Sequence, residues 1–285
     1  MSLPANEHIA AMENEDLEIG LLLEAVYRKY GYDFRNYAGA HTKRRIAQRK
    51  SLAGLDSYTA MIHRIIYDEE FFLALLLDLS INVTEMFRDP LFYRELRQLI
   101  VPHLQTYPFI KVWHAGCSAG QEVYSMAILL EEEDMKERAQ IYATDFNELI
   151  LAQAKRGIYP IDVIRQYTAN YIQSGGRESF SDYYTADDKH VILDGRLRKR
   201  ILFSSHNLAT DGVFGEMNII LCRNVLIYFN KELQERVLEL FFDSLCPGGF
   251  LCLGSKESLK FSKLADRFES VTGREKIYRK KRLQD

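Results

Sequence analysis

The stretch Phe109-Ile-Lys-Val-Trp-His-Ala-Gly-Cys-Ser-Ala-Gly-Gln-Glu122 decides the fold of this 285-residue chain. Its apolar run up to Ala115 predicts a buried strand, and residues 121–133 predict the helix that follows. Between them, Gly116 and Gly120 allow a sharp turn and a close approach of the backbone to a ligand. Taken alone, the stretch fits a plain strand–helix turn equally well.

The same alternation of strands and helices continues towards the end of the chain. Further strands are predicted at residues 140–145, 200–204, 217–222 and 250–254, and further helices at 148–156 and 231–245. Residues 17–104 show helical spacing of apolar residues instead. The sequence therefore predicts an α/β fold with a mostly parallel sheet covered on both faces, preceded by an all-α N-terminal domain. We expect the domains at residues 1–90 and 91–285, with a small β-subdomain inserted at about 157–198.

Composition restricts the class of protein. The net charge of −3 argues against a protein built mainly to hold nucleic acid. The sequence has neither an apolar run long enough to span a bilayer nor a secretion signal, so we expect a cytoplasmic protein without membrane insertion. The four cysteines form no CxxC pair, which favours buried free thiols over a metal site. Nothing in the sequence demands more than a monomer.

Polar residues follow the predicted strands, where such a sheet binds ligands. Asp145 can accept hydrogen bonds from both hydroxyls of a ribose, or it can cap the helix that begins near Asn147. Asn207 can pair with the edge of an adenine ring, or it can be a turn residue. The loop after Ala115 is neither GxGxxG nor a phosphate loop. It therefore suits S-adenosylmethionine, which carries no phosphate and needs a tight glycine turn with acidic groups.

The stretch Cys222-Arg-Asn-Val-Leu-Ile-Tyr-Phe229 brings further polar groups to the end of a strand. Arg223 can hold a carboxylate bidentately, and the ring of Tyr228 can face a sulfonium by cation–π attraction. The alternative is that Tyr228 and Phe229 are core aromatics. Before the sheet, Asn82-Val-Thr-Glu-Met-Phe-Arg88 is a natural lid for a cofactor, unless it is only a helix cap with Arg88 on a solvated face.

Together these stretches resemble the CheR-type chemotaxis receptor methyltransferases. The combination of Asn-x-Thr, a Gly-x-Glu loop and Cys-Arg-Asn-x-x-x-Tyr-Phe is highly specific, and the resemblance runs from about residue 20 to 280. It implies a class I S-adenosylmethionine-dependent methyltransferase with a Rossmann-like sheet. The expected reaction esterifies glutamate side chains of chemoreceptors and releases S-adenosylhomocysteine.

The resemblance also implies site residues. The residues expected to bind the cofactor are Asn82, Thr84, Gly116, Glu122, Asp145, Asn207, Leu208 and Asn224. The residues expected at the reacting groups are Arg88, Arg223 and Tyr228. The residues expected to face the receptor, an acidic helical coiled coil, are Lys43, Arg44, Arg45 and Arg49, because spacing of four puts Arg45 and Arg49 on one helical face. A merely solvated basic face is the alternative for this last group.

One region departs from the family pattern. Residues 172–184, within the expected β-subdomain, form a longer and differently composed stretch than the corresponding one in many family members. Those members use this subdomain to capture a receptor's C-terminal pentapeptide, and we do not expect that function in this chain. Two other functions stay open at this point. One is methylation of another acidic acceptor. The other is a regulatory module that binds the cofactor without catalysis, against which Arg88, Arg223 and Tyr228 weigh.

Overall fold

The computed structural model describes residues 5–80 and 84–282. Two compact units make up this part of the chain. The first holds residues 5–80 and the segment Tyr228–Gln234, and the second holds residues 84–227 and 235–282. The domain boundary that the sequence places at residue 90 stays a prediction. Within the described ranges, no helix has the length and apolar character needed to cross a membrane.

The first unit is all-α, as the sequence predicts. Its helices are α1 (Ala5–Tyr30), α2 (Gly39–Leu52), α3 (Tyr58–Tyr67) and α4 (Glu69–Leu79). Gly31, with φ of +79°, follows the last residue of α1, and Ser57 begins α3 by accepting a hydrogen bond from the Ala60 N–H at 3.0 Å. The apolar faces meet in a core whose fully buried members include Leu22, Val26, Ile46, Met61 and Leu75.

The second unit is built on a seven-stranded sheet. Its strands are β1 (Ile110–Ala115), β2 (Ala139–Asp145), β6 (Ile201–Ser205), β7 (Met217–Cys222), β8 (Leu245–Leu253), β9 (Phe268–Ser270) and β10 (Ile277–Lys280). They lie in the order β6-β2-β1-β7-β8-β10-β9, and β6, β2, β1, β7 and β8 pair parallel to one another. The antiparallel strand β10 lies between β8 and β9. The predicted fold class is confirmed.

The remaining helices precede β1 or alternate with the strands, and the first turn of the last of them, residues 231–234, belongs to the first unit. They are α5 (Pro90–Glu95) and α6 (Val101–Leu104), separated by a π-helical turn (Leu96–Ile100), then α7 (Gln121–Glu132), α8 (Glu148–Arg156), α9 (Ile164–Gln173), α10 (Gly195–Arg198) and α11 (Lys231–Ser244). The central strands carry side chains buried on both faces, including Val112, Trp113, Ile219 and Ile220 at 0% exposure. All four cysteines are buried free thiols, as predicted.

The inserted segment forms its own three-stranded antiparallel sheet. Its strands are β3 (Ile158–Pro160), β4 (Tyr184–Ala186) and β5 (His190–Leu193), in the order β3-β5-β4. Helix α9, in the same segment, was not predicted. The atypical stretch is anchored on the buried carboxylate of Glu132, which accepts hydrogen bonds from the hydroxyls of Tyr171 and Tyr183 and from Arg97. Gly176 is required there, because a Cβ at this position would lie 2.2 Å from the Tyr171 ring.

Candidate functional site

The candidate site lies where the carboxyl ends of β1, β2 and β7 meet. These strands are parallel and adjacent, so Ala115, Asp145 and Cys222 end at the same edge of the sheet. From β1 the chain goes to β2 and β6 on one side, then crosses to β7 on the other. The crevice between β1 and β7 is therefore the topological switch point, where open α/β sheets bind their ligands.

The glycine turn after β1 allows close backbone packing at this crevice. Gly116 has φ of +80°, and a Cβ there would lie 2.7 Å from Cγ2 of Val225. Gly120 has φ of +91°, and a Cβ there would lie 3.0 Å from the Cβ of Ala154. Both positions thus need glycine for conformation and for space. The loop after β7 consequently packs closely on the Gly116 turn.

The carboxylate of Asp145 joins the loops that follow β1 and β2. Oδ2 accepts the Ser118 N–H at 2.9 Å, and Oδ1 accepts the Asn147 N–H at 3.0 Å. The backbone of Phe146 also hydrogen-bonds to this carboxylate. A carboxylate has about four acceptor positions, so capacity for a ribose hydroxyl remains. Burial raises the pKa of Asp145 despite these three hydrogen bonds. The alternative role, capping α8, belongs to Asn147, whose Oδ1 accepts the N–H groups of Leu149 and Ile150.

The carboxylate of Glu122, in the first turn of α7, is held by two basic groups. Its Oε1 lies 3.0 Å from Nδ1 of His114, and its Oε2 accepts Nη1 of Arg223 at 3.1 Å. Burial raises the pKa of Glu122, but the contacts with His114 and Arg223 outweigh it, and the net shift is downward. Glu122 is therefore an ionised group, and its side chain remains 18% exposed at the site.

Arg223 binds carboxylates of its own chain. Its Nη2 donates to Asp89 at 2.6 Å, and its Nη1 donates to Glu122 and, at 3.4 Å, to the Arg88 carbonyl. Its guanidinium stacks 4.1 Å from the centre of the Phe92 ring. The side chain is 1% exposed. This arrangement orients the loop after β7 against α5 and α7. The catalytic role expected for Arg223 stays a prediction, and its geometry supports positioning.

The predicted lid segment enters the second unit in a strained conformation. Phe87 and Asp89 have φ of 52° and 57°, which non-glycine residues adopt rarely. The Phe87 N–H donates to Oγ of Ser125 at 2.8 Å, which fixes the segment on α7. Thr84 and Arg88 are half-buried. Asn82 lies outside the described residues, and the roles of all three stay predictions.

The remaining predicted cofactor residues lie on neighbouring loops. Asn207 follows β6, and its Oδ1 accepts the Ala209 N–H at 3.0 Å, a contact that makes it a turn residue. Leu208 is buried. Asn224 follows β7 with φ of 62°. The contacts of Asn207, Leu208 and Asn224 with a cofactor stay predictions.

The sequence analysis missed Glu257, which shapes the loop after β7. Its Oε1 accepts the N–H groups of Val225 and Ile227 at 2.9 and 3.3 Å. Its Oε2 accepts those of Asn224 and Gly254 at 3.0 and 2.6 Å. Burial raises the pKa of Glu257, although each of these four hydrogen bonds acts to lower it. The signal that could have found it is a carboxylate three residues beyond the end of the strand predicted at residues 250–254.

The predicted receptor-facing residues on α2 have partners within the first unit. Arg45 donates to the Asp78 carbonyl, and Arg49 donates to the Asp78 carboxylate and the Ala74 carbonyl. Lys43 pairs with Asp16. Arg44 is exposed. The shared face of Arg45 and Arg49 thus packs against α4, whereas the receptor-binding role of all four basic residues stays a prediction.

Tyr228 belongs to the first unit. Its carbonyl accepts the Ala38 N–H at 2.6 Å, and its ring packs edge-on against His41 at 5.9 Å between centroids. The neighbouring Phe229 is a buried core aromatic that packs on Tyr37 at 4.9 Å. Phe229 is therefore a core aromatic, which is one of the two interpretations that the sequence left open. Tyr228 is half-buried, and its role at the reacting groups stays a prediction.

Two family models match the chain. Residues 82–277 match the model described as CheR methyltransferase, SAM binding domain. Residues 17–80 match the model described as CheR methyltransferase, all-alpha domain. Together the two matches cover the sheet and helical parts that the sequence predicts.

Named relatives agree with these matches. Cher3 of Pseudomonas putida, which carries a methyltransferase name, is 52% identical over 267 residues, which cover 94% of this chain and 98% of the relative. A chemotaxis protein methyltransferase of Listeria innocua is 32% identical and covers 82% of this chain and 87% of its own. Chemotaxis protein methyltransferase 1 of Vibrio cholerae is 33% identical and covers 68% of this chain and 70% of its own.

The lowered pKa of Glu122 predicts a pH-dependent contribution to stability. A carboxylate with a depressed pKa stabilises the fold above its ordinary value of 4.5, and this contribution is lost as the pH falls through the depressed value. We expect Glu122→Gln to lower the free energy of unfolding by about 1–3 kcal/mol near neutral pH. The difference from wild type should shrink in acid.

Urea unfolding between pH 3 and pH 8 measures this difference. The matched control is Glu137→Gln, because Glu137 is 77% exposed and its pair with Arg200 is a surface pair worth about 1 kcal/mol or less. A difference for Glu122→Gln that stays constant over this pH range would show that ionisation of Glu122 is not what stabilises the site.

Proposed function

The chain belongs to the CheR methyltransferase family, and on this premise we propose that it transfers a methyl group to glutamate side chains of a bacterial chemoreceptor. The family membership that the motifs predict is confirmed, and so is S-adenosylmethionine as the cofactor. The general activity, S-adenosylmethionine-dependent methyl transfer in chemotaxis, follows from the family and from the relatives named for chemotaxis. The acceptor is the part that we propose.

The observation that supports the methyl-donor part of this reaction is the buried Asp145 carboxylate beside the Gly116 turn. The turn packs its backbone closely on Val225 of the loop after β7, and Asp145 retains acceptor capacity for a hydroxyl group. The site contains the glycines Gly116 and Gly120 and the carboxylates Asp145 and Glu122. This set suits a cofactor that has a ribose and a cationic end but no phosphate. We assign the neighbouring Asn207 and Asn224 to the same pocket because they follow strands that end at this edge.

A glutamate acceptor suits this set of residues. When bound, S-adenosylmethionine supplies a methyl group activated by a positively charged sulfur. A glutamate side chain is already ionised near neutral pH, so the protein needs no strong base. It needs to hold the acceptor in line, which is a matter of orientation.

Arg223 and Arg88 have different roles in orienting the acceptor. Arg223 is 1% exposed and lies between Glu122 and Asp89, so it serves as a positioning residue. Arg88 is half-buried and precedes Asp89 on the segment that Arg223 fixes. We therefore assign the acceptor carboxylate to Arg88, since a guanidinium binds a carboxylate bidentately.

An acidic helical partner fits the basic helix α2. Arg44 is exposed, and Lys43 is half-buried with a surface carboxylate as its partner. Complementary charge increases the rate of encounter and selects the partner. Because Arg45 and Arg49 are engaged with α4, we propose that Arg44 and Lys43 contribute more to docking than those two residues.

Methyl ester formation is the direct test of the acceptor. The protein is incubated with S-adenosylmethionine labelled in its methyl group and with the cytoplasmic fragment of a chemoreceptor. We expect label on the fragment that mild base releases as methanol, because carboxyl esters hydrolyse in base. Added S-adenosylhomocysteine should suppress the labelling. Label that resists base, or labelling that persists when the acceptor glutamates are replaced by alanine, would contradict a glutamate acceptor.

Tyr228→Phe separates catalysis from cofactor binding. We propose that the Tyr228 hydroxyl makes one hydrogen bond in the transition state. Its loss removes about 1–2 kcal/mol, so we expect kcat to fall roughly 5- to 30-fold. Affinity for S-adenosylhomocysteine should change less than about twofold. The matched control is Tyr67→Phe in the same unit, because Tyr67 is 77% exposed. A Tyr228→Phe variant with wild-type turnover would remove the Tyr228 hydroxyl from the mechanism.

A further inference from the structure

A cavity lies in the sheet unit, at the opposite end of β2 from the candidate site. Its volume is about 330 Å³, within the range of small-molecule pockets. It reaches Ala139, the first residue of β2, whereas Asp145 is the last. Six residues of extended strand separate the two by about 20 Å. The cavity is therefore distinct from the cofactor site.

The floor of the cavity is apolar. It consists of residues from α7, β2 and α10, which are Ala127, Leu130, Ala139, Ile141 and Leu197. Each of these side chains is buried. Such a floor favours a ligand with an apolar body, because that body removes further apolar surface from water.

The rim of the cavity is basic. It carries four cations and two carboxylates, which are Lys136, Arg196, Lys199, Arg200, Glu131 and Glu137. The net charge of this lining is positive, although the whole chain carries −3. Three of the cations come from the run Arg196-Leu-Arg-Lys-Arg200, which the methyl-transfer reaction does not use.

The two rim carboxylates are already neutralised by rim cations. Glu137 pairs with Arg200 at 2.6 Å, and Glu131 lies 3.4 Å from Arg196 and 3.7 Å from Lys136. Lys199 is exposed and takes part in no ion pair with the described residues. The rim therefore has positive charge that an anionic group of a ligand can complement.

We propose that this cavity binds a small amphipathic anion, with an apolar ring or chain on the floor and a phosphate or carboxylate at the rim. Such a ligand contacts α7, β2 and the inserted α10 together, so it links the inserted segment to the main sheet. The proposal does not depend on the acceptor of the methyl group, because the cavity and the cofactor site lie at opposite ends of β2.

Titration of the intact protein with 1-naphthyl phosphate tests the proposal. We expect saturable binding at one site per chain, with 1-naphthol and inorganic phosphate each binding at least about tenfold more weakly, since each lacks one of the two contacts. Lys199→Glu should weaken binding about tenfold or more by reversing the charge at the rim. The matched control, Lys189→Glu, changes an exposed lysine outside the cavity and should leave binding within about twofold.

A second variant tests the floor. Ala127→Leu adds bulk to the cavity and should also weaken binding of 1-naphthyl phosphate, while the titration with S-adenosylhomocysteine remains that of wild type and shows that the unit is folded. Absence of saturable binding by wild type would overturn the proposal. Equal losses in Lys199→Glu and Lys189→Glu would overturn it too, because they would indicate diffuse surface attraction.

Discussion

The carboxylate of Asp145 sets the arrangement on which the candidate site depends. By accepting the N–H groups of Ser118 and Asn147, it fixes the loop after β1 against the loop after β2. The Gly116 turn then packs on Val225 of the loop after β7, and α8 begins at its Asn147 cap. Asp145 thus joins the ends of β1 and β2, and the packing of Gly116 on Val225 adds the end of β7. Hydrogen bonds to backbone keep the buried carboxylate satisfied.

A second set of charges holds the segments around this centre. Arg223 connects Asp89, before α5, with Glu122, at the start of α7. Glu257 holds the loop after β7 through four backbone N–H groups. These contacts stabilise backbone conformations that are unfavourable alone, at Asp89 and Asn224. Strained residues that charged contacts hold in place are typical of sites whose groups must be positioned before a ligand arrives.

The parallel strands and their helices were predictable because each strand is a buried apolar run followed by a polar or glycine turn. The same patterns indicated Gly116 and Asp145, and the family resemblance indicated Glu122; the structure brings these three residues to one edge of the sheet. The short strands β9 and β10 and helix α9 were not predictable, because their pairing and packing depend on distant residues. Glu257 was missed for the same reason, since it acts on a loop about 30 residues earlier in the chain.

Side-chain direction was the other limit of the sequence. Spacing of four correctly places Arg45 and Arg49 on one face of α2, but it does not say whether that face points to solvent or to a neighbouring helix. The neighbour proves to be α4, with Asp78 as the partner. Likewise, an arginine after a strand can bind a substrate or its own chain, and only the positions of Asp89 and Glu122 distinguish these roles.

The central claim is that Asp145 and the Gly116 turn form the binding site for the cofactor. Calorimetric titration with S-adenosylhomocysteine of wild type, Asp145→Asn and the exposed control Asp188→Asn tests it most directly. We predict binding of one molecule per chain to wild type and control, and a loss of roughly tenfold or more in Asp145→Asn, because hydrogen bonds to a charged group are worth about 1.5–3 kcal/mol. Wild-type affinity in Asp145→Asn, or absence of binding to wild type, would contradict the account.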